Sequence, residues 1–515
     1  MPDYSANSKR LVKNTLVLYV RMLVMMVITL YTSRVVLNVL GVEDYGIYNL
    51  VGGVVSLFSA VSTTLNVAIN RFITYELGKG DKDNLKKVFS TSVNIQLIVI
   101  VIFLLIAETI GLWYLNNKMV IPQDRLNAAN WCFQFSIITF AINLISVPYN
   151  SAIIAHERMS AFAYIAIIES VGKLVIAWAI MITSNDKLIV YSLYMVVFAF
   201  IIRTIYVFYC KRHFEECTYH LVFESDMMKQ MFGFVGWAFI GVTSWALQTY
   251  GFVVLINLFF GPVVNAAYAI AVQVQSAIVA FTNNFMMALN PQITKAYAAN
   301  NKEYMFKLIF QGARFSAYIM LILALPIFFN THYILLLWLK QVPEHTVLFV
   351  QLIIVLSMFS CLSGTLTTAQ IAYGKIRNYQ LVVSPIGLLN IPISYLLYSM
   401  GFSPETILVV AIVLSQAALI ASLVMLRGMI GISISQYLKN VYLNVFIVAL
   451  VSLIIPLYLS FYLDESFLHF FQLTIVSVFC TLLAVLYMGL KDKERKMVYN
   501  KISLAAKKIY GINNY

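Results

Sequence analysis

Runs of twenty or more apolar residues follow one another along almost the whole chain. Each can cross a hydrocarbon core about 30 Å thick. No water is present there to satisfy peptide N–H and C=O groups, so each span closes its hydrogen bonds within itself as a helix. Only 11% of the 515 residues are charged and 61% are hydrophobic, against roughly 25% charged in soluble domains. The chain therefore reads as an all-α polytopic membrane protein. About fourteen transmembrane helices are predicted, at 12–38, 46–70, 89–115, 128–154, 162–183, 188–210, 231–257, 263–290, 307–329, 346–372, 380–400, 405–426, 441–463 and 466–490.

The loops set the orientation. With an even number of spans both termini lie on one side. That side collects 27 of the 35 Lys and Arg residues; the other side has four, Lys118, Arg125, Lys187 and Lys340, and is acidic instead. Positive residues mark cytoplasmic loops, so both termini are predicted to be cytoplasmic.

The stretch from Gly41 to Phe89 recurs, without a gap, at Gly261 to Ile309. Eleven of 49 positions are identical, among them Gly41/Gly261, Tyr48/Tyr268, Asn70/Asn290, Thr74/Thr294 and Lys82/Lys302. A second echo places Ala152, Ile154, Ala155 and Arg158 on Ala369, Ile371, Ala372 and Lys375. The shift carries span 2 onto span 8 and skips six helices, an even number. The copies therefore keep one orientation, as parallel repeats. The expected organisation is an N-terminal six-helix lobe (1–210), a cytoplasmic connector (211–230), a C-terminal six-helix lobe (231–426), two additional helices (427–490) and a basic tail (491–515).

Several function classes fall away. A net charge of +13 follows from the basic loops and does not indicate nucleic acid. The five cysteines show no metal or redox spacing. No nucleotide-binding glycine motif is present, no metal or cofactor is expected, and no cleavable signal peptide is read at the N-terminus.

Charges within the hydrocarbon are costly, and each needs a reason. The first lobe holds nearly all of them: Arg21 and Arg34 in span 1, Glu108 in span 3, Glu169 and Lys173 in span 5, and Arg203 in span 6, with Arg71 closing span 2. The second lobe has only Arg314. Lys173 and Arg21 lie about 16 and 13 Å into their spans at 1.5 Å per residue. Cations at several depths suit an anion that must travel. Each also has a plainer reading. Glu169 and Lys173 are spaced to neutralise each other on one helix face. Arg34 and Arg203 are placed to snorkel, and Arg21 and Arg34 point about 140° apart on an ideal helix. Glu108 reads either as a proton site or as a packing residue. Neutral polar residues such as Gln248, Gln275 and Asn283 can bind sugars or join helices.

Two six-helix lobes with two trailing helices resemble the polysaccharide flippases of the multidrug/oligosaccharidyl-lipid/polysaccharide (MOP) exporter superfamily. Leu-Gly-Val-Glu-Asp-Tyr-Gly-Ile-Tyr at 40–48, after a first span bearing Arg21, is similar to that family's pattern, and Arg-Phe-Ile-Thr-Tyr-Glu at 71–76 also fits. The resemblance implies a bacterial inner-membrane protein that moves undecaprenyl-diphosphate-linked oligosaccharide from cytoplasm to periplasm by alternating access. It implies no catalysis, coupling to a sodium or proton gradient, and partners among other polysaccharide assembly proteins. Arg21, Arg34, Lys173, Arg203 and Arg71 are the candidate diphosphate and sugar contacts, and Glu108 and Glu169 the candidate coupling groups. The alternatives are a multidrug or cation antiporter of the same superfamily and a membrane polysaccharide polymerase or ligase. The first fits poorly with an in-span charge that is cationic, the second with external loops too short for an acceptor site.

Overall fold

A computed structural model describes residues 4–56, 58–117, 119, 121–220, 224–462, 466–492 and 494–496. Lys118, Asp464, Glu465 and most of the expected basic tail lie outside them. The described residues are helical and contain no strand. Twelve of their helices are long and apolar enough to span a bilayer.

Helix α1 (Tyr4–Ser56) is broken at Gly41 and followed by α2 (Ser59–Lys79). Next come α3 (Lys82–Ile106), which a π-helical turn at 107–111 joins to α4 (Leu112–Asn117), then α5 (Leu126–Ala155), α6 (Met159–Ala179) and α7 (Lys187–His213). Helix α8 (Ser225–Ala298) has 74 residues. At 1.5 Å per residue it would reach about 110 Å, so it crosses twice, reversing at Gly261. The segment 42–79 is the repeat counterpart of 262–298. With these two doublings the twelve candidates become the fourteen crossings read from the sequence. The remainder are α9 (Lys302–Phe329), α10 (Thr331–Leu339), α11 (Thr346–Tyr373), α12 (Arg377–Leu388), α13 (Asn390–Ser399), α14 (Thr406–Ile430), α15 (Ile434–Tyr437), α16 (Asn444–Ser460) and α17 (Phe467–Ala484).

The repeat is structural as well as textual. Gly41 and Gly261 hold one unusual backbone state, φ 82 and ψ 168 against φ 79 and ψ −175. That region is essentially closed to residues with a Cβ, which explains why this glycine recurs. The opposite turn repeats too. Gly80 and Asn300 are both left-handed (φ 77 and 55). One residue on, Asp81 and Asn301 each cap the next helix, accepting from the backbone N–H of Asn84 (3.0 Å) and Tyr304 (3.1 Å). Helices α2 and α8 thus run on past the predicted span ends at 70 and 290, until these caps stop them.

Two compact units result. The first comprises Met1–Thr243, Met287–Met305 and Ile371–Gln380. Its core joins Leu65, Ile69 and Ile73 of α2 to Phe89 of α3, Ile153 of α5 and Ile202 of α7. The second comprises Ser244–Met286, Phe306–Gln370 and Leu381–Tyr515, with a core of Met320 and Ala324 on α9, Phe349 and Ile353 on α11, and Leu408 on α14. Arg314, 1% exposed, explains itself here. It donates to the Gly489 carbonyl (3.0 Å) and to Glu494 (2.8 Å), fastening the segment after α17 to α9.

Candidate functional site

Helices α1, α5, α6 and α7 of the first unit bring most of the candidate cations together. The Arg21 guanidinium on α1 lies 4.5 Å from the centre of the Phe162 ring on α6. One turn of α7 carries both Arg203 and Tyr206, and Tyr206 is within electrostatic range of Arg21 and of Glu169. Arg203 sits 4.2 Å over the Tyr149 ring and donates to the Ile145 carbonyl at 2.6 Å. Pro148 lies inside that turn of α5. A proline lacks an N–H, so Pro148 leaves the Leu144 carbonyl, next to the one Arg203 uses, without its intrahelical donor. Lys173 holds Glu169 at 2.6 Å, with both side chains more than a third exposed. The i, i+4 pairing read from the sequence is therefore formed. Three cations and one carboxylate leave this cluster with a net charge of +2. Aromatic faces lie against both guanidiniums, and a carbonyl accepts from Arg203.

The other candidates lie elsewhere. Arg34 is exposed on α1. Glu108 is exposed in the π-helical turn, where it accepts from the Gln134 amide at 3.0 Å.

Arg71 belongs to a different arrangement at the end of the first unit that bears the lysine-rich turns. It donates through Nε to Ile371 O (3.2 Å) and through Nη2 to Ala372 O (3.3 Å), the last carbonyls of α11. Cations favour a helix C-terminus, where carbonyls lack intrahelical partners. Gly374 follows with φ 88, and a Cβ there would lie 2.2 Å from Arg71 Nη2. The mirror contact is made at the end of α5. Glu157, the repeat counterpart of Gly374, is also left-handed (φ 58). Its carboxylate receives Lys295 (2.8 Å) and Gln292 (3.3 Å) from α8, and its side chain is only 6% exposed. The second helix of each repeat therefore clasps the end of the fourth helix of the other. Tyr75, Tyr297 and Tyr373 pack in a row between the two contacts, 6.2 and 6.4 Å apart. The sequence reading missed Glu157, Gln292 and Lys295. The 217-residue echo, which sets Glu157 opposite Gly374, was a signal for Glu157 alone; Gln292 and Lys295 stand opposite Phe72 and Tyr75 in the 220-residue repeat and carry no such mark.

At the opposite end of the same unit, Arg125 grips two carboxylates, Asp44 (2.8 and 2.6 Å) and Asp186 (2.6 Å). Burial raises the Asp186 pKa. Hydrogen bonds from Arg125 and from the backbone N–H groups of Ile189 and Leu188 outweigh it and hold the carboxyl below its usual range. Asp44 is the acid of the 40–48 motif, so this motif residue closes a three-helix ion cluster.

A profile described as polysaccharide biosynthesis protein matches residues 11–297, more than half of the chain. The chain belongs to that family. A second profile, MatE, matches residues 238–396. No curated protein sequence matches. Among solved structures the chain is similar to an outward-facing multidrug resistance MATE family transporter of the MOP superfamily, with 13% identity and a TM-score of 0.71 over 82% of this chain and 96% of that one. It is also similar to the Vibrio cholerae MATE transporter VcmN in its bent form, with 16% identity and a TM-score of 0.69 over 82% and 98%. A MATE in the bent conformation gives 13% identity and a TM-score of 0.72 over 82% and 96%. At these identities the likeness is one of fold.

Proposed function

We propose that this member of the polysaccharide biosynthesis family flips undecaprenyl-diphosphate-linked oligosaccharide across the bacterial inner membrane, from cytoplasmic to periplasmic leaflet, by alternating access. The observation that carries this reading is the net +2 cluster of Arg21, Lys173, Glu169 and Arg203 inside the first unit. A diphosphate bears about two negative charges, and moving it through hydrocarbon unaided is prohibitive. Guanidiniums meet phosphate oxygens with paired donors. Arg21 and Arg203 are the expected diphosphate contacts. Lys173 joins them when a gradient ion or proton takes its place on Glu169, which couples the site to a sodium or proton gradient. Both termini and the lysine-rich turns face the cytoplasm in this scheme. The clasp of Arg71 and Glu157 is then the cytoplasmic closure, which must part to admit substrate.

The test is translocation of a fluorescent lipid-diphosphate saccharide in proteoliposomes. Arg203→Ala and Arg21→Ala are expected to lower the rate at least about tenfold, the cost of one lost charged hydrogen bond, while the melting temperature in detergent holds. Full transport by both variants would refute the assignment. Export of a drug cation is the competing reading, favoured by the MatE match. Drug resistance on overexpression, without saccharide translocation, would establish it instead.

A further inference from the structure

The second unit contains a cavity of about 660 Å³ among α8, α9, α11, α12 and α14, with Trp245, Gln248, Tyr268, Gln275, Ser316 and Ser357 on its wall. That volume falls within the roughly 300–1,000 Å³ of small-molecule sites. No Lys, Arg, Asp or Glu is among the described residues that line it.

Its hydroxyls share one orientation. Ser276, Thr282, Ser357, Ser360, Ser363 and Ser415 each give their hydrogen to a carbonyl of their own helix. What remains to them is the capacity to accept, and Ser357 and Ser415 already accept from Gln275 and Gln416. Two amide groups are tied to neighbouring helices: Gln248 Nε2 donates to Gly387 O (3.1 Å) and Gln275 Nε2 to Ser357 Oγ (2.8 Å), which leaves each amide its oxygen and one further N–H. The wall is thus uncharged, with hydroxyls and amides set among apolar side chains. It lacks both the cation that a phosphate needs and the carboxylate that a desolvated cation needs. A neutral ligand whose hydroxyls both donate and accept suits it. Ser316 points the same way: it is 1% exposed, lies on the cavity wall, and its Oγ has no hydrogen-bond partner among the described residues. A buried hydroxyl is costly to leave unpaired, and a bound hydroxyl would pair it. Trp245, 68% exposed, adds a flat apolar face with one polar edge.

We propose that this cavity is a subsite for neutral saccharide, separate in chemistry from the cationic cluster of the first unit. It deepens the flippase reading and rests on it for the source of the saccharide. The second unit supplies hydroxyls, amides and an aromatic face without charge.

The experiment uses the full chain in nanodiscs and saturation-transfer NMR, with maltotriose and an N-acetylglucosamine trimer as neutral probes. Inorganic pyrophosphate and tetraphenylphosphonium serve as charged probes. At least one saccharide is expected to bind. Ser316→Ala and Trp245→Ala are each expected to weaken it about three- to tenfold and to leave pyrophosphate binding unchanged. The melting temperature of Ser316→Ala without ligand should not fall, because no hydrogen bond is removed; a purely structural serine would lower it. The subsite is refuted if neither saccharide binds, if both variants bind saccharide normally, or if tetraphenylphosphonium binds in the saccharide's place. Loss of pyrophosphate binding in wild type, with saccharide binding intact, would count against the diphosphate site and leave this one standing.

Discussion

Gly78→Ala tests the clasp most directly. A Cβ at Gly78 of α2 would lie 2.7 Å from Ala298 Cβ, 2.8 Å from Lys295 Cα and 2.9 Å from Lys295 O. Two of these three atoms are backbone and cannot swing aside. Ordinary contact begins near 3.4 Å, so α2 and the end of α8 must part by about 0.7 Å or more. Overpacking of this size costs about 1–3 kcal/mol. If the cost falls only on the state in which these helices touch, the ratio of closed to open forms drops about 5- to 150-fold. Spin labels at Asp83 and Glu303, exposed and repeat-equivalent, read the separation by pulsed dipolar spectroscopy. A second, longer distance is expected to gain population. Glu157→Gln should move the distribution the same way without steric change, since it removes the charge that holds Lys295 and leaves the shape. A single unchanged distance in both variants, with only a lower melting temperature, would refute the clasp as a movable closure and leave it a static packing contact.

Gly261→Ala is expected to cost about 1–3 kcal/mol, and Gly41→Ala the same, because the obstacle is φ near 80° and not space: no atom lies within 4 Å of where either Cβ would stand. Melting in detergent measures this, and matching losses would bear out the structural repeat. Arg125→Ala should cost about 2 kcal/mol through its lost charged hydrogen bonds. Asp186, whose carboxyl is held below its usual 3.8, contributes stability that is present above that pH and lost as the pH falls further through the folded value. Melting temperature should therefore decline in that acid range, and Asp186→Asn should lack that component. Glu494→Gln should loosen the segment after α17, seen as faster hydrogen exchange at 485–496, because buried Arg314 loses its counter-charge.

Much of the architecture was legible because its causes are local. Apolar length and the basic loops gave the crossings, and Gly41 and Gly261 marked one reversal in both repeats. Partners remote in sequence were not legible. Arg71 looked like a ligand group at the end of a span, and nothing near it reveals that its acceptors are carbonyls 300 residues away. Arg314 was visible as the one charge of the second lobe, but Glu494 lies 180 residues further on. For the neutral polar residues the two sequence readings are both realised in one pair. Gln275 and Ser357 join α8 to α11 through their mutual bond, and they also line the cavity. Which side chains bond to a neighbour and which turn their lone pairs to an opening depends on rotamer and packing. Periodicity carries no information about either.

The repeat makes the division of chemistry informative. Two copies of one six-helix design began with equal freedom to place charge in the membrane, and burying an ionised group without a partner is costly in either. The first unit nonetheless keeps Arg21, Lys173 and Arg203 against the single carboxylate of Glu169. Among its described residues the second confines its one buried Lys or Arg, Arg314, to a structural bond with Glu494 and lines its cavity with neutral side chains. On the flippase reading the cations of the first unit serve the anionic part of the ligand, and the neutral cavity of the second serves its hydroxyls. Transferring the charge should therefore transfer the preference. Ser357→Arg is expected to let the second unit bind pyrophosphate and to lose saccharide, and retention of saccharide binding at wild-type strength would show that the neutrality of this wall is incidental.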